Sequence, residues 1–130
     1  MRSAGGLAEV APGDLAGPEV AARAVKAANQ HFGRLDGPIS NTGFADRTPF
    51  ADLTNDALVR SIEAIHGAFF RLAVAALPHP RSSGAGSVVA VFSFVARAFR
   101  PGLPTFPAAA AKAGQEALVR ALSEDLGRPV

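Results

Sequence analysis

An α/β fold built on a parallel sheet is the architecture this sequence predicts, and three observations predict it. Apolar segments bounded by Gly and Pro alternate with segments of helical period, in the order strand, helix, strand, helix, strand, helix. Ser87 to Ser93 is a continuous run dominated by valine, the pattern of a strand covered on both faces. Between the second and third strand candidates lies an apolar-striped segment of helical period, long enough to serve as a crossover between parallel neighbours.

The elements follow in chain order. Leu7 to Ala11 is a brief apolar patch that admits a short strand, cut off by Pro12-Gly13 before Asp14. A helix is expected from Pro18, with proline at its first position, Glu19 at the positive end of its dipole, and Val20, Ala24, Ala28 and Phe32 spaced four apart. Gly33 closes it. Leu35 to Ile39 reads as a strand running into the turn Ser40-Asn41-Thr42-Gly43, although Pro38 has no N–H for a ladder. Thr54 caps the long helix, whose stripe is Leu58, Ile62, Ile65, Phe69, Leu72 and Ala76, and which stops at Leu77-Pro78. His79 to Gly86 is a solvated connection leading to the valine-rich strand. Pro107 opens a last, alanine-rich helix with Leu118, Leu122 and Leu126 on one stripe, ended by Gly127.

Composition narrows the chemistry. The 130 residues are 48% hydrophobic and 18% charged, which excludes a disordered polar tail and fits a single domain over residues 1–130. Cys 0 removes disulfides, thiolate catalysis and cysteine metal sites, while His31, His66 and His79 are too dispersed to share an ion, so no metal is expected. Tyr 0 removes any mechanism that needs a phenolic acid. The net charge is +2, with two lysines and scattered arginines, so no basic face for nucleic acid is expected. The N-terminal residues lack the apolar stretch of a secretory signal, and Ala68 to Leu77 is far short of the ~20 residues a bilayer needs. A cytoplasmic location without a membrane partner is the expectation.

Five motifs in register give the chain a family likeness. Asp14-Leu15, Phe32-Gly33-Arg34-Leu35-Asp36 with Ser40-Asn41-Thr42-Gly43, Gly67-Ala68-Phe69-Phe70, Gly86-Ser87-Val88-Val89 through Ser93, and Lys112-Ala113-Gly114 resemble the middle of a short-chain dehydrogenase/reductase. The likeness runs from about residue 9 to 130. It implies a partial Rossmann-like, doubly wound sheet in the order 3-2-1-4-5-6, in which the strand before Asp14 is third and those ending at Asn41 and Ser93 are fourth and fifth. The N-terminal strand with its glycine-rich turn has no counterpart: Gly5-Gly6 lacks a preceding strand. Two adjacent strands with flanking helices are then expected, open at both edges, in a truncated or degenerate member.

The resemblance also implies a chemistry: hydride transfer between NAD or NADP and a small alcohol or carbonyl. It makes Ser93 the residue that orients the carbonyl and Lys112 the residue that holds the nicotinamide ribose and lowers the proton donor's pKa. Asp14, Asn41 and Gly43 become cofactor contacts, Asp14 at the adenine. The donor itself, a tyrosine four residues before the lysine, is replaced by Ala108, and the asparagine of the long helix by Ala64. Alanine has no proton to give, so impaired or absent activity is expected. Arg97 and Arg100 border the implied substrate loop. Each candidate also has a plainer reading: Ser93 as a turn hydroxyl, Lys112 as a solvated helical lysine, Asn41 as a turn residue, Asp14 as a helix cap. The rival function is a non-catalytic module that pairs through the two long helices, with itself or with an intact homologue.

Overall fold

The computed structural model describes residues 5–79 and 87–125. Helix α1 spans Val20–Phe32, strand β1 Ile39–Ser40, and a short 3-10 turn Phe50–Asp52. One helical rod follows in three parts: α2, Asn55–Ser61; a π-helical segment, Ile62–Gly67; and α3, Ala68–Ala76. Strand β2 is Val89–Ala90, and after a second 3-10 turn, Phe94–Ala96, the chain enters α4, Phe106–Asp125. The two strands are parallel neighbours with Ile39 opposite Val89 and Ser40 opposite Ala90. A βαβ unit with α1 and α4 packed around it is the expected partial sheet.

Pro38, immediately before β1, limits the strand at its start. Along the pair, Ser87, Val89 and Val91 donate their N–H groups to the carbonyls of Asp36, Pro38 and Ser40. In a parallel ladder the residue at Pro38 would return a bond to the carbonyl of Ser87, and proline has no N–H to do so. The carbonyl of Ser87 still comes close, 3.0 Å from where a Cβ on Gly37 would sit, so a side chain at position 37 would press on the neighbouring strand.

Several expected features stand elsewhere or differ. Leu7 to Ala11 forms no strand; Leu7 and Val10 stay in solvent, because no strand lies beside them to pair with. Helix α1 begins at Val20, not Pro18: Glu19 is its N-cap, and Val20, Ala21 and Val25 are its buried face, while Phe32 is exposed. Gly33 does close it, with φ +74° and its N–H on the carbonyl of Asn29. Thr54 caps α2 through its hydroxyl, which accepts from the N–H of Ala57 at 3.2 Å. Ser87 to Ser93 is not a covered strand. Val89, Val91 and Phe92 are exposed, since β2 pairs only with β1 and a two-stranded ribbon cannot cover both its faces. Helix α4 turns Ala108, Ala111, Lys112 and Gln115 inward, while Leu118 and Leu122 are only partly buried. The expected connection at 80–86, Leu126 and the closing Gly127 lie outside the described residues.

The core sits between the rod and α4. Ile65, from the π-helical segment, is fully buried against Ala108 and Ala111, with Ile62 at the margin. Two glycines allow close approaches that a Cβ would block. The Glu63–Arg71 ion pair lies over Gly67, whose Cβ would meet the Glu63 carboxylate at 2.8 Å. The His66 ring lies on Gly114 of α4, 3.1 Å from the position of a Cβ there. Arg71 also donates to the carbonyls of Leu15 and Glu63, which ties the segment before α1 to the rod.

Candidate functional site

The site is built at the C-terminal ends of the two strands, where parallel sheets expose their functional loops. Past Ser40 and Val91 the strands part, and the ammonium of Lys112 fills the gap from α4. Its Nζ donates to the carbonyl of Thr42 at 2.7 Å, to the carbonyl of Val91 at 2.7 Å, and to Gln115 Oε1 at 3.1 Å. Three N–H bonds thus meet three acceptors, the full capacity of the group. The lysine is 6% exposed, and burial lowers its pKa below the ordinary lysine value. Lys112 is therefore not a solvated helical lysine; it clasps two strand ends.

Gly43 belongs to the same place. A Cβ there would lie 3.5 Å from Lys112 Cε and 3.8 Å from Nζ, so the backbone after Thr42 runs directly along the lysine side chain. The hydroxyl of Thr42 is buried with no hydrogen-bond partner. Ser93 stands two residues beyond Val91, extended, half-buried and without a side-chain cap bond, at the head of the Phe94–Ala96 turn. Its carbonyl accepts from the N–H of Ala96. Asn41, between Ser40 and Thr42, is exposed.

Asp14 does not join this cluster. Its carboxylate accepts from the N–H of Ala16 at 3.0 Å and pairs with Arg60 of α2 at 3.3 Å, while its carbonyl accepts from Gly17. This is a turn before α1, not the cap of the helix. The Ala16 N–H, and then Arg60, hold the Asp14 carboxyl below the usual carboxylate range. The two alanine positions are closed. Ala108 is buried on Ile65 beside Lys112, and Ala64 is buried inside the π-helical segment, where the widened turn leaves the helix irregular.

The surrounding loops are aromatic and charged. Phe106 at the start of α4 meets Phe50 edge-on with centroids 5.2 Å apart and stacks on Phe99 at 6.2 Å. Arg100 sits over the Phe94 ring, and Arg97 is held by Glu116 of α4, so both arginines of the implied substrate loop are already engaged. An apolar cavity of about 460 Å³ lies on the other side of β1, between α1 and α3; Ile39 and Leu72 line it, with Ser40 and Thr42 among its few polar members. Among the described residues no three His, Asp or Glu groups come together as a metal site, and no helix is long and apolar enough to cross a membrane.

Gln115 and Thr42 are the residues that motif reading does not single out. A polar residue at i+3 from Lys112 on a stripe of alanines is the signal that marks Gln115, because a helix face that carries Ala108 and Ala111 inward carries position 115 inward too.

A family model described as enoyl-(acyl carrier protein) reductase matches residues 1–129. The chain belongs to the short-chain dehydrogenase/reductase family. Among relatives of this short-chain dehydrogenase/reductase, the L-rhamnose 1-dehydrogenase (NAD(P)(+)) of Sphingomonas sp. (strain SKA58) is 36% identical over 85 residues, 65% of this chain and 34% of that protein. The carveol dehydrogenase of Mycobacterium avium, solved in complex with NAD, superposes with a TM-score of 0.77 at 28% identity over 88% of this chain and 42% of its own. The gluconate 5-dehydrogenase of Burkholderia cenocepacia J2315, solved with NADP and tartrate, shows the shared fold with a TM-score of 0.83 at 24% identity, over 98% of this chain and 49% of its own. The chain thus spans less than half the length of these relatives.

Proposed function

We propose that this chain carries the ribose end of an NAD(P)(H) oxidoreductase site, acting by descent on a small alcohol or carbonyl, and that its hydride-transfer activity is impaired. One observation supports the proposal: Lys112, to which the resemblance gives the ribose, has its ammonium on the carbonyls of Thr42 and Val91 at the parting strand ends, and Ala108 in the turn before it, where the resemblance puts the proton donor, is buried on Ile65 and Ala111. Lys112 would hold the nicotinamide ribose, with Gly43 and Asn41 along the same edge and Ser93 toward the carbonyl. Asp14 would stand at the adenine end. The orphaned hydroxyl of Thr42 is a buried polar atom that a ligand could satisfy. When bound, the dinucleotide would supply the hydride, and this chain's residues would bind and orient.

Whether the carrier is NAD or NADP follows from residues that the likeness places outside the matched motifs, so both are tested. Calorimetric titration of the chain with NADH and with NADPH is expected to show weak binding, and a panel of carbonyl substrates no turnover. Turnover at an ordinary enzymatic rate, kcat about 1 s−1 or more, would overturn the impaired reading. A dinucleotide that fails to bind at millimolar concentration would overturn the ribose site.

A second reading has its own observation. Phe70 and Val74, one helical turn apart on α3, are 50% and 54% exposed, an apolar pair on a helix whose other residues are buried or half-buried. They fit a module that pairs two copies of this chain through its long helices. Light scattering after size exclusion decides it: a dimer supports the reading, and a monodisperse monomer at high concentration removes it.

A further inference from the structure

Helix α4 presents two polar groups to the strands on a stripe that is otherwise alanine: Lys112, and one helical turn later Gln115, which is fully buried. A buried amide is costly unless it is hydrogen-bonded, and an apolar side chain of the same size would fill this space without that demand. The amide is bonded at both ends. Its Oε1 accepts from Lys112 Nζ at 3.1 Å, and its Nε2 donates to the hydroxyl of Ser40 at 3.4 Å. Its orientation is fixed by chemistry, because an ammonium only donates and so requires the oxygen. Ser40 is itself buried, on the strand residue that pairs with Ala90. A line of contacts therefore runs from β1 through Gln115 to the ammonium.

We propose that Gln115, fixed by Ser40, is the positioning residue of Lys112, holding its ammonium at the parting strand ends beside Gly43. The purpose of that placement, to meet a ribose, rests on the function proposed above; the placement itself does not. The backbone carbonyls of Thr42 and Val91 draw Nζ between the strands, and the amide fixes its third direction. Without the amide the ammonium keeps two acceptors and one unfilled N–H in a buried space.

Lys26 and Lys112 are the two lysines of the chain, which makes the test direct. Protein labelled with 13C and 15N in lysine is titrated by NMR, and the exposed Lys26 on α1 serves as the internal reference. In Gln115→Leu the Lys112 midpoint is expected at lower pH than in the wild type, with a proton affinity about three- to tenfold weaker, because an acceptor facing the charge is gone. Ser40→Ala moves it the same way by less, and Gln115→Glu moves it to higher pH. Lys26 stays fixed in all three. The other titratable groups on the packed elements, His66 over Gly114 and Glu116 held by Arg97 and Arg120, are unchanged in these variants. Identical Lys112 titrations in the wild type, Gln115→Leu and Gln115→Glu, with helical circular dichroism preserved, would overturn the proposal. Should Gln115→Leu fail to fold, opposite shifts in Ser40→Ala and Gln115→Glu still support it, and their coincidence with the wild type overturns it. A wild type that binds no dinucleotide would sink the ribose reading alone, since the titration reports on Gln115 without any ligand.

Discussion

Replacing Lys112 by Met keeps the unbranched stem that runs along Gly43 and removes only the ammonium. Two backbone carbonyls, Thr42 and Val91, each lose a donor at 2.7 Å, and Gln115 Oε1 loses one at 3.1 Å. A buried acceptor left without a donor costs about 1–3 kcal/mol; the Gln115 contact is fully buried and the two carbonyl contacts are part-buried, where water recovers part of the loss, so the gross loss still exceeds that of a typical substitution. Against this stands the burial of the charge, which works against the folded state and no longer operates in the variant. The amide of Gln115 can also turn to present its NH2 group to one orphaned carbonyl. The balance is a net destabilisation of about 2–4 kcal/mol, a large part of the ~5–15 kcal/mol that holds a domain together. Urea unfolding followed by circular dichroism measures it. At about 1–3 kcal/mol per molar urea, the midpoint of Lys112→Met should fall by roughly 0.7–4 M with an unchanged slope. A midpoint equal to or above that of the wild type would refute the reasoning, because it would mean that the ammonium does not bind the strand ends in solution.

The unfolded chain keeps its proton on Lys112 up to about pH 10.4, and the folded chain releases it at lower pH. The unfolded state therefore binds more protons across that interval, and stability should rise with pH through it. With no Tyr or Cys to titrate nearby, the rise should vanish in Lys112→Met melts. At the acid end, Asp14, Asp46 and Glu116 have lowered pKa values, held first by the Ala16 N–H, the Thr48 hydroxyl and Arg97 respectively. Their contribution is present above the ordinary carboxylate range, near pH 4, and is lost as pH falls through the lowered values. Salt screens the exposed arginine partners Arg60 and Arg97 but not the hydrogen bonds to Asp14 and Asp46, so a shallower acid limb in 1 M salt than without it is expected. Ile65→Ala should cost about 2–5 kcal/mol by opening a cavity between the rod and α4, read from the same urea curves; a loss below 1 kcal/mol would show that α4 is not docked there. Phe70→Glu with Val74→Glu should convert any dimer to monomer in light scattering without lowering the melting temperature.

Much of the fold was legible because its signals are local. The Thr54 hydroxyl, the left-handed Gly33 and the stripe through Ile65, Phe69 and Ala76 depend on residues a turn or two apart, and each stands where the pattern puts it. What failed depends on neighbours that a sequence does not display. Leu7 to Ala11 has the composition of a strand but no strand beside it among the described residues, and Ser87 to Ser93 has the composition of a covered strand but only one strand partner there. Leu118 and Leu122 are outweighed at the packing face by Ala108 and Ala111, the α4 residues that pack on Ile65. Lys112 could be named as a candidate from its motif. That two of its donors end on strand carbonyls could not be read, because those contacts span 70 and 21 residues of chain; the third, to Gln115 one helical turn away, is local.

The two alanines and the lysine bear on each other. Alanine is the strongest helix former, so Ala64 and Ala108 cost the rod and α4 nothing as helices, and both are buried where a larger polar group would need a partner. The lysine is different: it cannot be exchanged for alanine without orphaning the carbonyls that it joins. Alanine at 64 and 108 thus suits the helices, while the loss of Lys112 would unfasten the strand ends whether or not a dinucleotide ever binds. The presence of Lys112 is thus weak testimony to catalysis by itself. The groups that discriminate are those with no structural task in this fold, the unpartnered hydroxyl of Thr42 and the uncapped hydroxyl of Ser93. If a nicotinamide ribose does bind here, Thr42→Val and Ser93→Ala should weaken it while leaving the urea midpoint in place, which is the opposite of what Lys112→Met should do.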